Sequence, residues 1–220
     1  MATASVPIVD VALGFRPHTG WTVAVAVGGD VASPQVVDRR VLPLTDEDHI
    51  PAQIYHAAVG LELAAAEKLV RRAEEIVTQV TERETASFLA ALRTTGHTPL
   101  AAGIATTAGG PETLDAPPEG GRHADAGYVL AAHMRMHAAE GELYGEALAG
   151  ALHDAGVMVT RVHPRDVTTV AVRGLQRDAE SLLHAVNALG VPLGPPWRKD
   201  EKEATLLAWA ALAEWRSTTN

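Results

Sequence analysis

Ile8-Val9-Asp10-Val11-Ala12-Leu13-Gly14-Phe15-Arg16-Pro17-His18-Thr19-Gly20-Trp21-Thr22-Val23-Ala24-Val25-Ala26-Val27 is the stretch whose reading decides the fold. Ile8, Val9, Val11, Ala12 and Leu13 form a short apolar run, and the Gly and Pro punctuation of residues 14–21 predicts a turn after it. Trp21 to Val27 then returns as Trp-Thr-Val-Ala-Val-Ala-Val, the β-branched alternation of a strand. Gly28-Gly29-Asp30 ends that run, and Val36, Val37, Val41 and Leu42 mark a third strand over residues 35–44. Two consecutive antiparallel hairpins are therefore expected over residues 8–44.

Beyond this meander, helices and single strands alternate. From Leu63 onward, Ala66, Val70, Ala73, Val77, Val80, Phe88 and Leu92 recur mostly at helical spacing, with Glu67, Lys68, Arg71, Arg72, Glu74 and Glu75 on the other face. The helix should end near Gly96, a residue type suited to a C-cap. Residues 100–108 read as a fourth strand, and residues 109–122, rich in Gly, Pro and acids, as a mobile surface loop. A second helix is expected over residues 124–155 and a fifth strand over 157–162. A shorter helix follows over 175–189, then a linker over 190–198 and a last helix over 199–215. No internal repeat interrupts this order.

Composition narrows the function classes. A chain of 220 residues that is 47% hydrophobic can bury a full core, which favours one domain over residues 1–220. Aromatic residues are only 4%, so the core must be built mainly from Ala, Val and Leu. The absence of cysteine excludes disulfides, zinc ribbons and thiol nucleophiles, and suits a reducing cytoplasm. Met1 to Pro7 lacks a basic region followed by an apolar core, and no apolar run approaches the roughly 20 residues a bilayer requires. A cytoplasmic protein with no membrane partner is expected. The 18 basic and 27 acidic residues give a formal charge of −9, which opposes non-specific attraction to nucleic acid and leaves room only for a local basic patch.

A strand, helix and strand in succession normally make a right-handed parallel crossover. The order of elements thus predicts a five-stranded mixed sheet, three antiparallel N-terminal strands followed by two parallel ones, with helices on both faces. That order resembles the RNase H-like superfold, which includes Holliday-junction resolvases, transposase cores and the halves of actin-like ATPases. The first hairpin also resembles nucleases of this fold, in which a glycine, an aspartate a few residues on and a Gly-Trp pair mark the turn. Gly14, Gly20 and Trp21 fit that spacing. In active members, the resemblance implies, an aspartate near the C-terminal end of the first strand helps two divalent metals clamp the scissile phosphate.

Arg16 stands where that aspartate is expected, and a guanidinium stays protonated and offers a metal no lone pair. Asp10 lies earlier on the same strand, as a metal-ligand candidate or as a plain strand-end carboxylate. The fourth strand carries no acid, and Glu112 falls beyond it in the loop. On the last helix, Asp200 shares a face with Ala204, Leu207, Ala208, Ala211 and Trp215 and should point toward the sheet. The resemblance makes Asp200 and Glu203, one turn along, the remaining metal candidates. Helix capping is the alternative role for an acid in a first turn.

His133, His137, Glu140 and Tyr144 follow one another at spacings of four, three and four, in one stripe of the second helix. Met134, Ala138, Gly141, Gly145, Leu148 and Leu152 form the neighbouring stripe, so the polar groups should lie at the margin of the core. Partial desolvation there suits acid or base chemistry, and two histidines at i and i+4 with a carboxylate one turn further can hold a transition metal. Hydrogen bonding to adjacent loops is the structural alternative. His133, His137 and Glu140 are the candidate catalytic residues; Glu142 and Glu146 should face solvent. Arg16, His18 and Trp21 on the first turn, with Tyr144 and the Tyr55-His56 pair, are candidates to line a cleft for an anion. Arg161, His163, Arg165 and Asp166 follow the fifth strand, at the edge where open α/β sheets bind ligands. No glycine-rich phosphate loop is present, which argues against an ATPase.

Two functions follow. The first is a catalytically diverged domain that binds an anionic or phosphate-bearing ligand. The second is a nuclease or phosphodiesterase using Mg²⁺ or Mn²⁺, with Asp10, Glu140, Asp200 and Glu203 in a rearranged site. The sequence names no cofactor, and Mg²⁺ or Mn²⁺ enters only under the second reading. Nucleic acid, a small anionic ligand and a second copy of the chain are the candidate partners.

Overall fold

The computed structural model describes residues 9–106 and 126–219. The loop expected over residues 109–122, and Glu112 with it, lie outside the described residues. In chain order the elements are β1 (Val9–His18), β2 (Trp21–Asp30), β3 (Ser33–Pro43), α1 (Ile54–Ala58), α2 (Leu63–Thr94), β4 (His97–Ala105), α3 (Ala126–Leu130), α4 (His133–Asp154), β5 (Met158–Val162), α5 (Val167–Leu175), α6 (Ala179–Gly190) and α7 (Lys199–Thr219). The five strands lie in the order β3-β2-β1-β4-β5. β1 pairs antiparallel with β2, and β2 with β3, while β4 runs parallel to both β1 and β5. This is the mixed sheet expected from the element order.

The first turn is much tighter than residues 14–21 suggest. β1 continues through Arg16 to His18, which pairs with Trp21, so only Thr19 and Gly20 turn the chain. Gly20, at φ +85°, supplies the left-handed conformation. Gly14 is no breaker: a Cβ there would lie 1.7 Å from the Ala204 carbonyl oxygen. Its missing side chain lets α7 lie directly on the sheet. β4 partners β1 only as far as Phe15, so Pro17 occurs where β1 has a neighbour on one side alone, a tolerable place for a residue without an N–H.

Strand alternation divides the core into two layers. Ala12, Val23, Val25, Ala101 and Ala105 face α7, α5 and α6, where Ala204, Leu207, Ala208, Ala171 and Leu182 meet them. Leu13, Phe15, Ala24, Ala26, Ala102 and Ile104 face the other way, against Phe88, Leu89 and Leu92 of α2 and Leu148 and Leu152 of α4. Each large side chain fully withdrawn from water contributes about 1.5–3 kcal/mol. A third cluster, with Ile54, Tyr55, Val77, Met136, Leu143 and Tyr144, ties α1 to α2 and α4.

Some helix boundaries differ from the sequence expectation. The helix expected over residues 124–155 is broken: Ala132 is extended, at φ −150° and ψ 131°, and separates α3 from α4. Residues 167–190 hold two helices, with Gln176 in the left-handed region between them. The 190–198 linker carries a 3₁₀ turn at Val191–Leu193 and is anchored by Trp197, whose indole N–H donates to the Val186 carbonyl at 3.0 Å. At the start of α7 the capping group is Glu201 rather than Asp200, since Glu201 reaches back to accept from the Arg198 N–H at 2.8 Å. Asp200 is thereby left for other contacts.

Candidate functional site

The C-terminal ends of β1, β4 and β5 share one edge of the sheet, where open α/β sheets bind ligands. Arg16 and His18 have the strand parity of Gly14 and so meet the first turn of α7. Arg16 Nε donates to Glu203 Oε2 at 2.8 Å and lies 3.9 Å from Asp200 Oδ1. Arg16 Nη1 donates to the Pro17 carbonyl at 3.2 Å, and Lys199 Nζ lies 3.6 Å from the second oxygen of Glu203. His18 Nε2 is 3.1 Å from Asp200 Oδ2, in an orientation that makes no hydrogen bond. Its ring stacks on Trp21 with centroids 4.2 Å apart.

Arg16, His18, Ala105, Thr106, His137 and Tyr144 are among the residues that enclose a cleft of about 220 Å³ at this edge. That volume is below the roughly 300–1,000 Å³ of drug-sized ligand pockets and suits a compact polar group. Trp21 is not part of its lining. It sits in an adjoining groove with Asp46, Glu47 and Asp48, connected to the cleft through its stack on His18.

A second cluster occupies the α4 side. His133 and His137 lie one turn apart with their Nε2 atoms 3.0 Å apart, and the His56 ring packs at 4.7 Å from His137 and 5.1 Å from His133. Glu140 is 2% exposed; one of its oxygens accepts from the Tyr55 backbone N–H at 3.2 Å and lies 3.0 Å from His56 Nδ1. His56 thus belongs with the histidines of α4 rather than with the Arg16 hairpin, and Tyr55 is buried in the core. The phase of α4 differs as well. Glu140 and Tyr144 turn into the core while Met134 is exposed, because buried hydrogen bonds hold both polar side chains there.

Tyr144 lines the cleft with its ring, but its hydroxyl donates to the Ala52 carbonyl at 2.8 Å. Burial, with a smaller contribution from Glu140, pushes that phenol well above the usual tyrosine range, so it remains a hydrogen-bond donor. Tyr55 is raised likewise, by burial first and by Glu74 next. Glu146 pairs with Arg161 across to β5, Nη2 to Oε2 at 2.8 Å, instead of standing free in solvent. Glu142 is half-buried.

Among the described residues, the candidate acids do not assemble as a two-metal site. Asp10 is six residues before Arg16 on β1, which at about 3.3 Å per residue puts it some 20 Å away at the opposite end of the strand. Glu140 is committed to Tyr55 and His56. Ala105 ends β4 without a carboxylate. Asp200 and Glu203 do converge, but around a guanidinium. Those residues do not fit the pair of divalent ions that active RNase H-like nucleases use.

Only the stripe spacing on α4 and the first turn of α7 were detectable locally. His56 is 81 positions from His137 and lies in a five-residue helix, so no sequence periodicity marks it. Glu201 carried a signal in its spacing of three from Arg198.

No protein-family model matches the chain, and no curated protein sequence matches it. Solved structures do. T. thermophilus RuvC in complex with Holliday junction substrate superposes with a TM-score of 0.51 at 15% identity, over 96% of this chain and 97% of that one. A second Thermus thermophilus RuvC structure gives 0.47 at 16% identity, over 95% and 97%. The first likeness shows the fold, which is RNase H-like and resolvase-like. At that identity it says nothing of chemistry.

Proposed function

We propose that this chain is a catalytically diverged RNase H-like domain whose edge cleft binds an anionic, phosphate-bearing ligand. The observation that carries the reading is Arg16: its guanidinium sits between Asp200 and Glu203 at the edge where a metal would be needed. A fixed cation there repels a divalent ion and attracts an anion, and the planar fork suits phosphate. Only Nε and one N–H of Nη1 are used among the described residues, so a phosphate can add to the Glu203 contact without displacing it. His18, the edge of His137 and the small volume of the cleft favour a compact polyanionic group.

The convergence of Asp200 and Glu203 is what favours the metal-dependent nuclease reading, and one set of assays separates the two. Purified protein is incubated with Mg²⁺ or Mn²⁺ and single-stranded, duplex or branched DNA, and is titrated separately with a 5′-phosphorylated oligonucleotide and with pyrophosphate. No metal-dependent cleavage is expected, together with phosphate-dependent binding that Arg16→Gln weakens about tenfold or more. Arg16→Asp should remove that binding and create weak Mn²⁺ affinity. Robust cleavage by the unaltered protein, lost in Asp200→Asn, would replace this reading with the nuclease.

A further inference from the structure

The three imidazoles beside the cleft form a cluster of which the anion-binding reading uses His137 alone. One candidate ligand nitrogen from each of His56, His133 and His137 lies within 4.8 Å of the other two. His133 and His137 come from successive turns of one helix face, and His56 closes the triangle from α1. Zinc–imidazole bonds of about 2.0–2.1 Å set tetrahedral ligand nitrogens roughly 3.3 Å apart. The 3.0 Å between the Nε2 atoms of His133 and His137 is a few tenths short of that, within reach of a small ring rotation.

Two features distinguish this cluster from a patch of solvated histidines. His56 Nε2 is buried and has no hydrogen-bond partner among the described residues, a costly state for a ring nitrogen. His56 Nδ1 faces the buried carboxylate of Glu140 at 3.0 Å. Donation of Nδ1–H to that carboxylate fixes the tautomer and leaves the lone pair on Nε2, in a ring packed against the other two. A carboxylate behind a histidine whose far nitrogen is free is the usual support of a metal-bound imidazole.

We propose that His56, His133 and His137 bind a single transition-metal dication of the zinc class, with Glu140 as the positioning residue behind His56. Three neutral nitrogen donors and no thiolate suit Zn²⁺, Co²⁺, Ni²⁺ or Cu²⁺ rather than Mg²⁺. His133 and His137 are exposed, so the fourth coordination position is open to water or to an anion. His137 also lines the cleft, which sets this position at the cleft's rim.

The test uses metal alone, so its result stands apart from whether the cleft binds phosphate. Metal-free protein is dialysed against Zn²⁺ and bound zinc is counted; Co²⁺ is then titrated while its visible absorption is recorded. One zinc per chain and an intense tetrahedral Co²⁺ band are expected. The double substitution His133→Ala/His137→Ala should abolish both with the circular dichroism unchanged, and exposed His153→Ala should leave both intact. Glu140→Gln should weaken binding about 10- to 100-fold with coordination preserved. Failure of the unaltered protein to retain zinc, or retention by the double variant, would overturn the site. Unchanged affinity in Glu140→Gln would remove Glu140 from it.

Discussion

At the β1 side of the cleft, opposite charges meet: Arg16 faces Glu203 and Asp200, and Lys199 adds a second cation. At the α4 side, His56, His133 and His137 crowd together with the Glu140 carboxylate behind His56. In the first group the two acids are engaged by cations while Arg16 keeps N–H groups and His18 Nε2 lacks a hydrogen bond, so a donor for an anion remains. In the second, the buried His56 Nε2 has no hydrogen-bond partner among the described residues and the carboxylate lies behind its ring. Clusters rich in acids are commonly read as metal sites, and here the acids are the ones already neutralised. Which donors remain free, and not how many carboxylates converge, decides what each side can bind. The two sides also differ in burial. The Arg16 and Glu203 side chains are 18% and 16% exposed, whereas Glu140 is 2% exposed.

The largest effect should come from breaking the arrangement that creates the β1 side. Gly14→Ala places a methyl group against the Ala204 carbonyl and must lift α7, so a loss of about 3 kcal/mol or more is expected in urea denaturation. A loss under about 1 kcal/mol would mean that α7 does not depend on Gly14 for its seat. A smaller effect is expected from the α4 side. Glu140→Ala leaves the Tyr55 N–H and His56 Nδ1 without their acceptor and should cost about 2–3 kcal/mol, whereas Glu140→Gln keeps an acceptor and should cost under about 1 kcal/mol. Equal losses in the two variants would show that charge, rather than hydrogen-bond satisfaction, matters at Glu140. The smallest change belongs to Glu203→Gln, about 0.5–1 kcal/mol, because its ion pair is partly screened by solvent. If that loss matched Glu140→Ala, the contrast in burial between the two sides would have no energetic meaning.

Much of the fold was legible in the sequence, and the reasons are local. The Trp21 to Val27 alternation, the helical period from Ala66 to Leu92 and the first-turn position of Asp200 each reflect chain geometry that repeats every two or 3.6 residues. Element order with the crossover rule then led to the sheet. Local punctuation misled where a glycine served packing: Gly14 reads as a turn residue, yet it lies mid-strand beneath α7.

The sequence by itself determined the strands, the element order and the presence of a histidine stripe on one helix, because each depends on short-range periodicity and on steric rules common to all chains. Tertiary structure alone decided three things. It placed Asp10 at the far end of β1 from Asp200, since strand direction and length, not residue type, set which groups can meet. It turned Glu140 and Tyr144 into the core, since their polar atoms could be buried only once Tyr55 and Ala52 arrived to pair with them. It brought His56 to His133 and His137, a convergence across some 80 residues of chain that rests on the packing of α1 against α4 and leaves no periodic trace in the sequence.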